Sequence, residues 1–230
     1  MKVLQEKLEF LLEKYSVATN AVLKDKNTAV IDGVDTPILS HRLERRFIEL
    51  KNIAQDGTLQ GISVMRVARI VEKGSDIFEE LYRELDICQF VLGKKIVGIT
   101  AMQNDNTLNV IATAEGGIVC TLEISATLAK GEPAKDKHEI IAQRGTACDV
   151  VVDAQLKQDS IYVFGADNKK YTDVDFELYG LSLEDIAVVR SAFVIAQNNT
   201  MDEMVASDCS LVALVEKAKT SVHTGERQVI

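Results

Sequence analysis

No Gly-x-Gly occurs anywhere in the 230 residues. A dinucleotide-binding turn needs such glycines, because its backbone must approach a pyrophosphate closely at a helix N-terminus. The chain alone is therefore expected to bind neither NAD(H) nor NADP(H), and no cofactor is expected. No Cys-x-x-Cys occurs either. Cys88, Cys120, Cys148 and Cys209 are dispersed, and His41, His138 and His223 share no spacing, so no metal site or catalytic triad can be assembled from the pattern. Each cysteine falls in an apolar run and reads as a buried free thiol. The histidines read as surface residues. There is no Gly-x-Ser-x-Gly elbow and no calcium-loop pattern, so Asp149, Asp153 and Asp167 are expected to shape turns. No stretch approaches a membrane span, and the N-terminus lacks the apolar core of a signal peptide, which together point to the cytoplasm. Basic charge is also scarce. Lys and Arg number 26 against 35 Asp and Glu, a net charge of −9 that argues against nucleic acid or anionic lipid as a partner. Arg42, Arg45 and Arg46 are the one compact basic cluster, and acids surround it.

What is present is an ordinary globular balance, 47% hydrophobic and 27% charged, at a length that can bury a proper core. Leu4, Leu8, Leu11, Leu12 and Tyr15 predict an amphipathic helix over 3–23. A short strand is expected at Thr28–Ile31. A helix near 40–55 presents Leu43, Phe47, Leu50 and Ile53, and a strand follows within 59–72. Asp76 and Glu79 make a capping box for a helix that ends at Gly93. Strands are then expected at 95–103, 107–114 and 118–126, separated by Asn104-Asp105-Asn106 and Glu115-Gly116-Gly117, both turn chemistry. Within the third, Ile118, Cys120, Leu122, Ile124 and Ala126 alternate with Val119, Thr121, Glu123 and Ser125, which describes one face on a core and one on something more polar. Further strands are expected at about 138–144, 148–153, 161–165 and 171–177. Helices follow at 183–197, capped by Ser182, and at 206–223, with Leu211, Leu214, Val215 and Ala218 on one face. Helices flanking a block of consecutive strands predict an α+β fold: an open-faced, mostly antiparallel sheet with helices packed on one face.

Four segments in order carry a family likeness: Arg45-Arg46-Phe47 with Asp56-Gly57 and Gly61; Arg83-Glu84-Leu85-Asp86 with Leu92-Gly93; Glu115-Gly116-Gly117-Ile118 with Leu122-Glu123-Ile124-Ser125; and Ala218-Lys219-Thr220-Ser221 with Thr224-Gly225-Glu226. Together they resemble the C-terminal, substrate-binding and oligomerisation domain of the Gfo/Idh/MocA oxidoreductases, over about residues 40–230. The division expected is an N-terminal helix and short strand capping the domain (1–39), then the family-like domain (40–230). The resemblance implies an open-faced sheet and pairing of two copies through its exposed face. It also implies a preceding nucleotide-binding domain, for which the 40 or so residues before the likeness leave no room, and a Glu-Lys-Pro motif that is absent.

The resemblance places a sugar-oxidising Asp-x-x-x-His pair at Glu79 and Arg83. Guanidinium cannot act as a general base, so Arg83 cannot stand in for histidine. The alternative for the two is a plain i,i+4 ion pair. Arg46, Glu79, Arg83 and Asp86 are the candidate substrate-binding residues, and no catalytic residue is assigned. The expectation is a non-catalytic binding or scaffolding protein derived from a sugar or polyol oxidoreductase. It would be a homodimer through the sheet face, with a sugar-like ligand or an oxidoreductase partner. The alternatives are an oxidoreductase subunit completed by a separate nucleotide-binding chain, or a cofactor-free acid–base enzyme on a sugar derivative.

Overall fold

The computed structural model describes residues 1–149, 160–163, 169–172 and 175–230. In chain order the elements are α1 (Lys2–Lys14), β1 (Ala21–Leu23), β2 (Thr28–Ile31), β3 (Val34–Pro37), α2 (Arg45–Gln55), β4 (Ile62–Glu72), α3 (Ile77–Leu92), β5 (Ile96–Asn104), β6 (Thr107–Ala114), β7 (Val119–Leu128), β8 (Lys135–Ala142), β9 (Thr146–Cys148), β10 (Ser160–Val163), β11 (Lys169–Thr172), α4 (Leu183–Asn198), α5 (Met201–Thr224) and β12 (Gln228–Val229). A 3-10 turn over Ser40–Leu43 precedes α2. Two compact units result. One joins Met1–Leu43 with Val150–Val205, the other Glu44–Asp149 with Ala206–Ile230.

In the first unit, Leu4, Leu8, Leu11 and Leu12 of α1 pack with Ala21 and Leu23 of β1, Ala29 and Ile31 of β2, and Val188, Val189, Ala192 and Phe193 of α4, and β3 extends the same three-stranded sheet. The helix expected over 3–23 stops at Lys14, because Ala21–Leu23 pairs as a strand with Ala29–Ile31. Tyr15, expected on the apolar stripe, is 46% exposed and donates from its hydroxyl to Glu177 at 2.6 Å. Lys14 and Arg190 also reach Glu177, and Arg190 grips Asp175 through two bonds of 2.7 and 2.8 Å. The hydrogen bonds from Lys14, Tyr15 and Arg190 pull Glu177 down to about 2. Asp175 accepts from the backbone of Glu177 and Leu178, so a turn occupies residues expected to end a strand. Residues 150–153, 164–165 and 173–174 of the expected strands, with Asp153 and Asp167, lie outside the described residues.

The second unit holds an open, mixed sheet of seven strands in the order β12-β5-β6-β7-β4-β8-β9. Only β4 and β7 run parallel; every other neighbouring pair is antiparallel. The expected alternation of β7 is observed, with Cys120, Leu122, Ile124 and Ala126 buried and Val119, Thr121, Glu123 and Ser125 on the other face. Asp76 caps α3 by accepting from the Phe78 N–H at 2.8 Å, and Gly93 closes it at φ 62. Gly116 and Gly117 both take φ 81 between β6 and β7, a conformation that L side chains avoid. Helices α2 and α3 cover one face with Phe47, Leu50, Leu81, Leu85 and Cys88, while Ile111 on the other is 55% exposed. Cys88 and Cys120 are buried as expected, but Cys148 and Cys209 are exposed, since the first ends an edge strand and the second lies on the outer side of α5. Among the described residues no helix is long and apolar enough to cross a membrane.

Leu8 and Leu11 have no exposed surface, and each contributes roughly 1.5–3 kcal/mol by burial. Replacing either with Asp is expected to abolish the folding transition of the first unit or cause aggregation. A melting curve unchanged from the parent would show that α1 is a free appendage.

Candidate functional site

The face of the sheet beneath α2 and α3 is apolar except on β4 and β8. There the inward positions alternate as Met65, Val67, Arg69 and Val71, and as Asp136, His138 and Ile140, with Arg69 paired to Asp136 and Val67 to His138. On α3, Glu84 shares the buried stripe of Leu81, Leu85 and Cys88. Four charged or ionisable residues are thus placed inside, where each needs a partner.

His138 is the centre of the arrangement and is fully buried. Its Nδ1 lies 2.6 Å from Asp149 Oδ2, its Nε2 lies 2.7 Å from Glu84 Oε2, and its backbone N–H donates to Asp149 Oδ1 at 2.7 Å. Phe47 of α2 meets the ring edge-on, with centroids 4.7 Å apart. Burial disfavours the imidazolium, but the hydrogen bonds to Asp149 and Glu84 outweigh it and raise His138 to about 9. Two carboxylate acceptors can both be satisfied only when both ring nitrogens carry protons, so His138 is a cation at neutral pH. Burial likewise pushes Glu84 up, and the His138 bond followed by the Arg83 charge brings it below its usual range.

A second layer compensates the first. Arg46 grips Asp136 through two bonds of 2.6 and 2.9 Å and reaches Asp149 at 3.2 Å. Arg69 binds Asp136 at 3.1 Å and Glu80 at 2.8 Å. Arg83 pairs with Glu84 and with Glu44, the latter at 3.2 Å. Burial opposes the charge on Asp136, yet the bound Arg46 holds it down at about 2.

The sequence candidates separate here. Arg46 and Arg83 enter the network, whereas Glu79 is exposed on α3 and Arg83 turns to other carboxylates, so the expected i,i+4 pair is not the contact Arg83 makes. Asp86 is fully buried on the same helix. His138 and His41, expected at the surface, are both buried, while His223 is exposed. Asp149, expected only to shape a turn, is the principal acceptor of His138. Sequence reading missed Glu84, His138, Asp136, Asp149 and Arg69. The available signal was a charge within an apolar period: Arg69 in the stripe of β4, Glu84 in that of α3.

Glu84, Asp136 and His138 each bring a potential ligand atom within 4.8 Å of the others, a cluster that a purely sequential search for metal spacing does not reveal. A metal would have to displace the Nε2 proton of His138 and share carboxylates already bound to three arginines. The arrangement fits a proton on the imidazole better than an ion beside it.

No family model matches the chain, and no curated protein matches it. Solved structures do. A Sinorhizobium meliloti 1021 protein assigned as a myo-inositol dehydrogenase superimposes with a TM-score of 0.63 at 16% identity, covering 84% of this chain and 64% of its own. The myo-inositol 2-dehydrogenase of Lactobacillus plantarum gives 0.60 at 14% identity, covering 84% and 63%. The scyllo-inositol dehydrogenase of Lactobacillus casei, solved with NAD(H) and scyllo-inositol, gives 0.58 at 13% identity, covering 83% and 63%. The fold is that of sugar and polyol oxidoreductases. More narrowly, it is the Gfo/Idh/MocA-type fold that the four sequence segments resemble, and this chain spans less than two thirds of the length of those structures.

The raised titration of His138 makes a stability prediction. Its folded value near 9 exceeds the ordinary 6.5. The clamp therefore contributes fully below about pH 6.5 and is lost as the pH rises through about 9, roughly 3 kcal/mol in all. The melting temperature should fall across this window, and His138→Gln should flatten that dependence. A parent protein whose melting temperature is level from pH 6.5 to 9.5 would refute the charged clamp.

Proposed function

We propose that this protein is a non-catalytic relative of the sugar and polyol oxidoreductases that binds a small polar ligand or scaffolds a second protein. The observation carrying the reading is the state of the imidazole. His138 is enclosed between Glu84 and Asp149 with no exposed surface, so it cannot reach a substrate hydroxyl. Arg83 stands where the resemblance puts the general base, and a guanidinium holds its proton at any working pH. What remains accessible at the rim is Glu44, Arg46 and Arg83, groups suited to recognition rather than proton transfer. A second reading, an oxidoreductase subunit completed by a separate nucleotide-binding chain, draws on the likeness to a scyllo-inositol dehydrogenase solved with NAD(H) and its polyol.

The protein alone should neither bind NADH in a calorimetric titration nor reduce NAD+ when given myo-inositol. Stoichiometric micromolar binding or measurable NADH formation would overturn the non-catalytic reading. Activity restored only by adding a nucleotide-binding protein would favour the second.

The scaffold is proposed to be a homodimer paired sheet to sheet. Thr113, Val119, Val64 and Ile141 lie in register across the uncovered face, with Ile111 beside Thr121. Two-fold pairing through this one face would take these apolar side chains out of water. Light scattering should give twice the 25.3 kDa chain mass, and Val119→Lys should shift it toward the monomer. A parent mass near one chain at all concentrations would exclude the dimer. A Val119→Lys protein that stays dimeric would move the interface elsewhere.

A further inference from the structure

Glu44 occupies the N-cap position of α2, yet its side chain makes no capping bond. Instead, one carboxylate oxygen accepts from Arg46 Nε at 2.8 Å and the other from an Arg83 terminal nitrogen at 3.2 Å. A single carboxylate thus bridges guanidiniums from two helices, one oxygen to each. Both guanidiniums are held from behind. Asp136 grips Arg46 in bidentate fashion, Glu84 pairs with Arg83, and the Phe47 ring lies beneath both, 4.4 Å and 5.6 Å from their central carbons. Exposure increases outward, from 20% for the Arg83 side chain through 25% for Arg46 to 34% for Glu44. The outermost member of the network is therefore Glu44, the one held by no acid from behind.

We propose that Arg46 and Arg83 form a seat for the carboxylate of a small organic acid, and that Glu44 is its in-cis occupant, exchanged for the ligand. Planar forks fixed from behind recognise a planar two-oxygen acceptor, which is the chemistry Glu44 already displays. The exchange leaves the charge of the network unchanged, since one carboxylate replaces another. Retaining an acid at the seat matters because the two arginines would otherwise face each other with less compensation. That the acid is polyhydroxylated rests on the sugar-related reading above, so the ligand class is a sugar acid.

Calorimetric titration of the parent chain and of Glu44→Gln with D-gluconate, acetate, D-glucose and inorganic phosphate tests this, with Glu44→Ala as a second variant should the first not fold. Removing the internal competitor should tighten gluconate binding about tenfold or more, the worth of charge-assisted bonds at such a seat. Adding Arg83→Lys, which keeps the charge but not the fork, should abolish the gain. Equal gluconate affinity with and without Glu44, or no binding in either folded variant, would overturn the seat. Phosphate binding tighter than gluconate would overturn its assignment to a carboxylate. If glucose binds as well as gluconate, the seat falls while the sugar-related reading survives. If acetate gains as much as gluconate, the seat stands and the sugar-related reading falls.

Discussion

A cationic imidazole with no exposed surface organises the helix-covered face of the sheet. Burying a charge costs several kcal/mol unless every proton it carries finds an acceptor. His138 meets that demand with Asp149 on one side and Glu84 on the other. Each of those carboxylates then needs its own compensation, which Arg46 and Arg83 supply, and the arginines in turn draw in Asp136 and Glu44. The network grows outward from an obligate centre until solvent takes over at the rim. Removing one central partner would strand a buried charge, whereas a rim group shares its charge with solvent.

That construction separates a buried centre from a partly exposed rim within one cluster. The histidine joins α3 to β8 and to the residue just after β9, and α2 packs on it through Phe47. It is a fastening between elements, and its pair of acceptors leaves no lone pair for chemistry. The arginines face both ways, with their inner nitrogens committed to the core and their outer ones to Glu44. The cluster thus ends outward in a polar rim of Glu44, Arg46 and Arg83. The uncovered face of the sheet follows different physics: Val64, Ile111, Val119 and Thr121 lie among charged residues such as Arg66, Glu123 and Glu139, and the Arg66–Glu139 ion pair stays at the solvent side.

Much of the architecture was legible in the sequence because it is written at short range. The alternation of β7, the caps at Asp76 and Ser182, and the glycine stops of α3 and α5 each follow from residues within one or two turns of each other. Errors came where a distant partner intervened. The first helix ends early because residues 21–23 pair with residues 29–31. Tyr15 leaves the apolar stripe for an acid 162 positions away.

By itself the sequence determined the α+β class, the open and mostly antiparallel sheet, the buried leucines of the first helix, the buried face of the last and the resemblance that names the fold. Periodicity and turn chemistry are local, and one apolar face per element leaves few ways to assemble them. It also placed Arg46 and Arg83 among the candidates. Only the tertiary structure decided that His138 is a charged core residue rather than a surface one, and that Asp149 binds it. The partners lie 54 residues from His138 for Glu84 and 103 residues from Arg46 for Asp149. Whether a charge on a strand faces water or a matching charge depends on which helix packs over it, and that is settled by the assembled sheet.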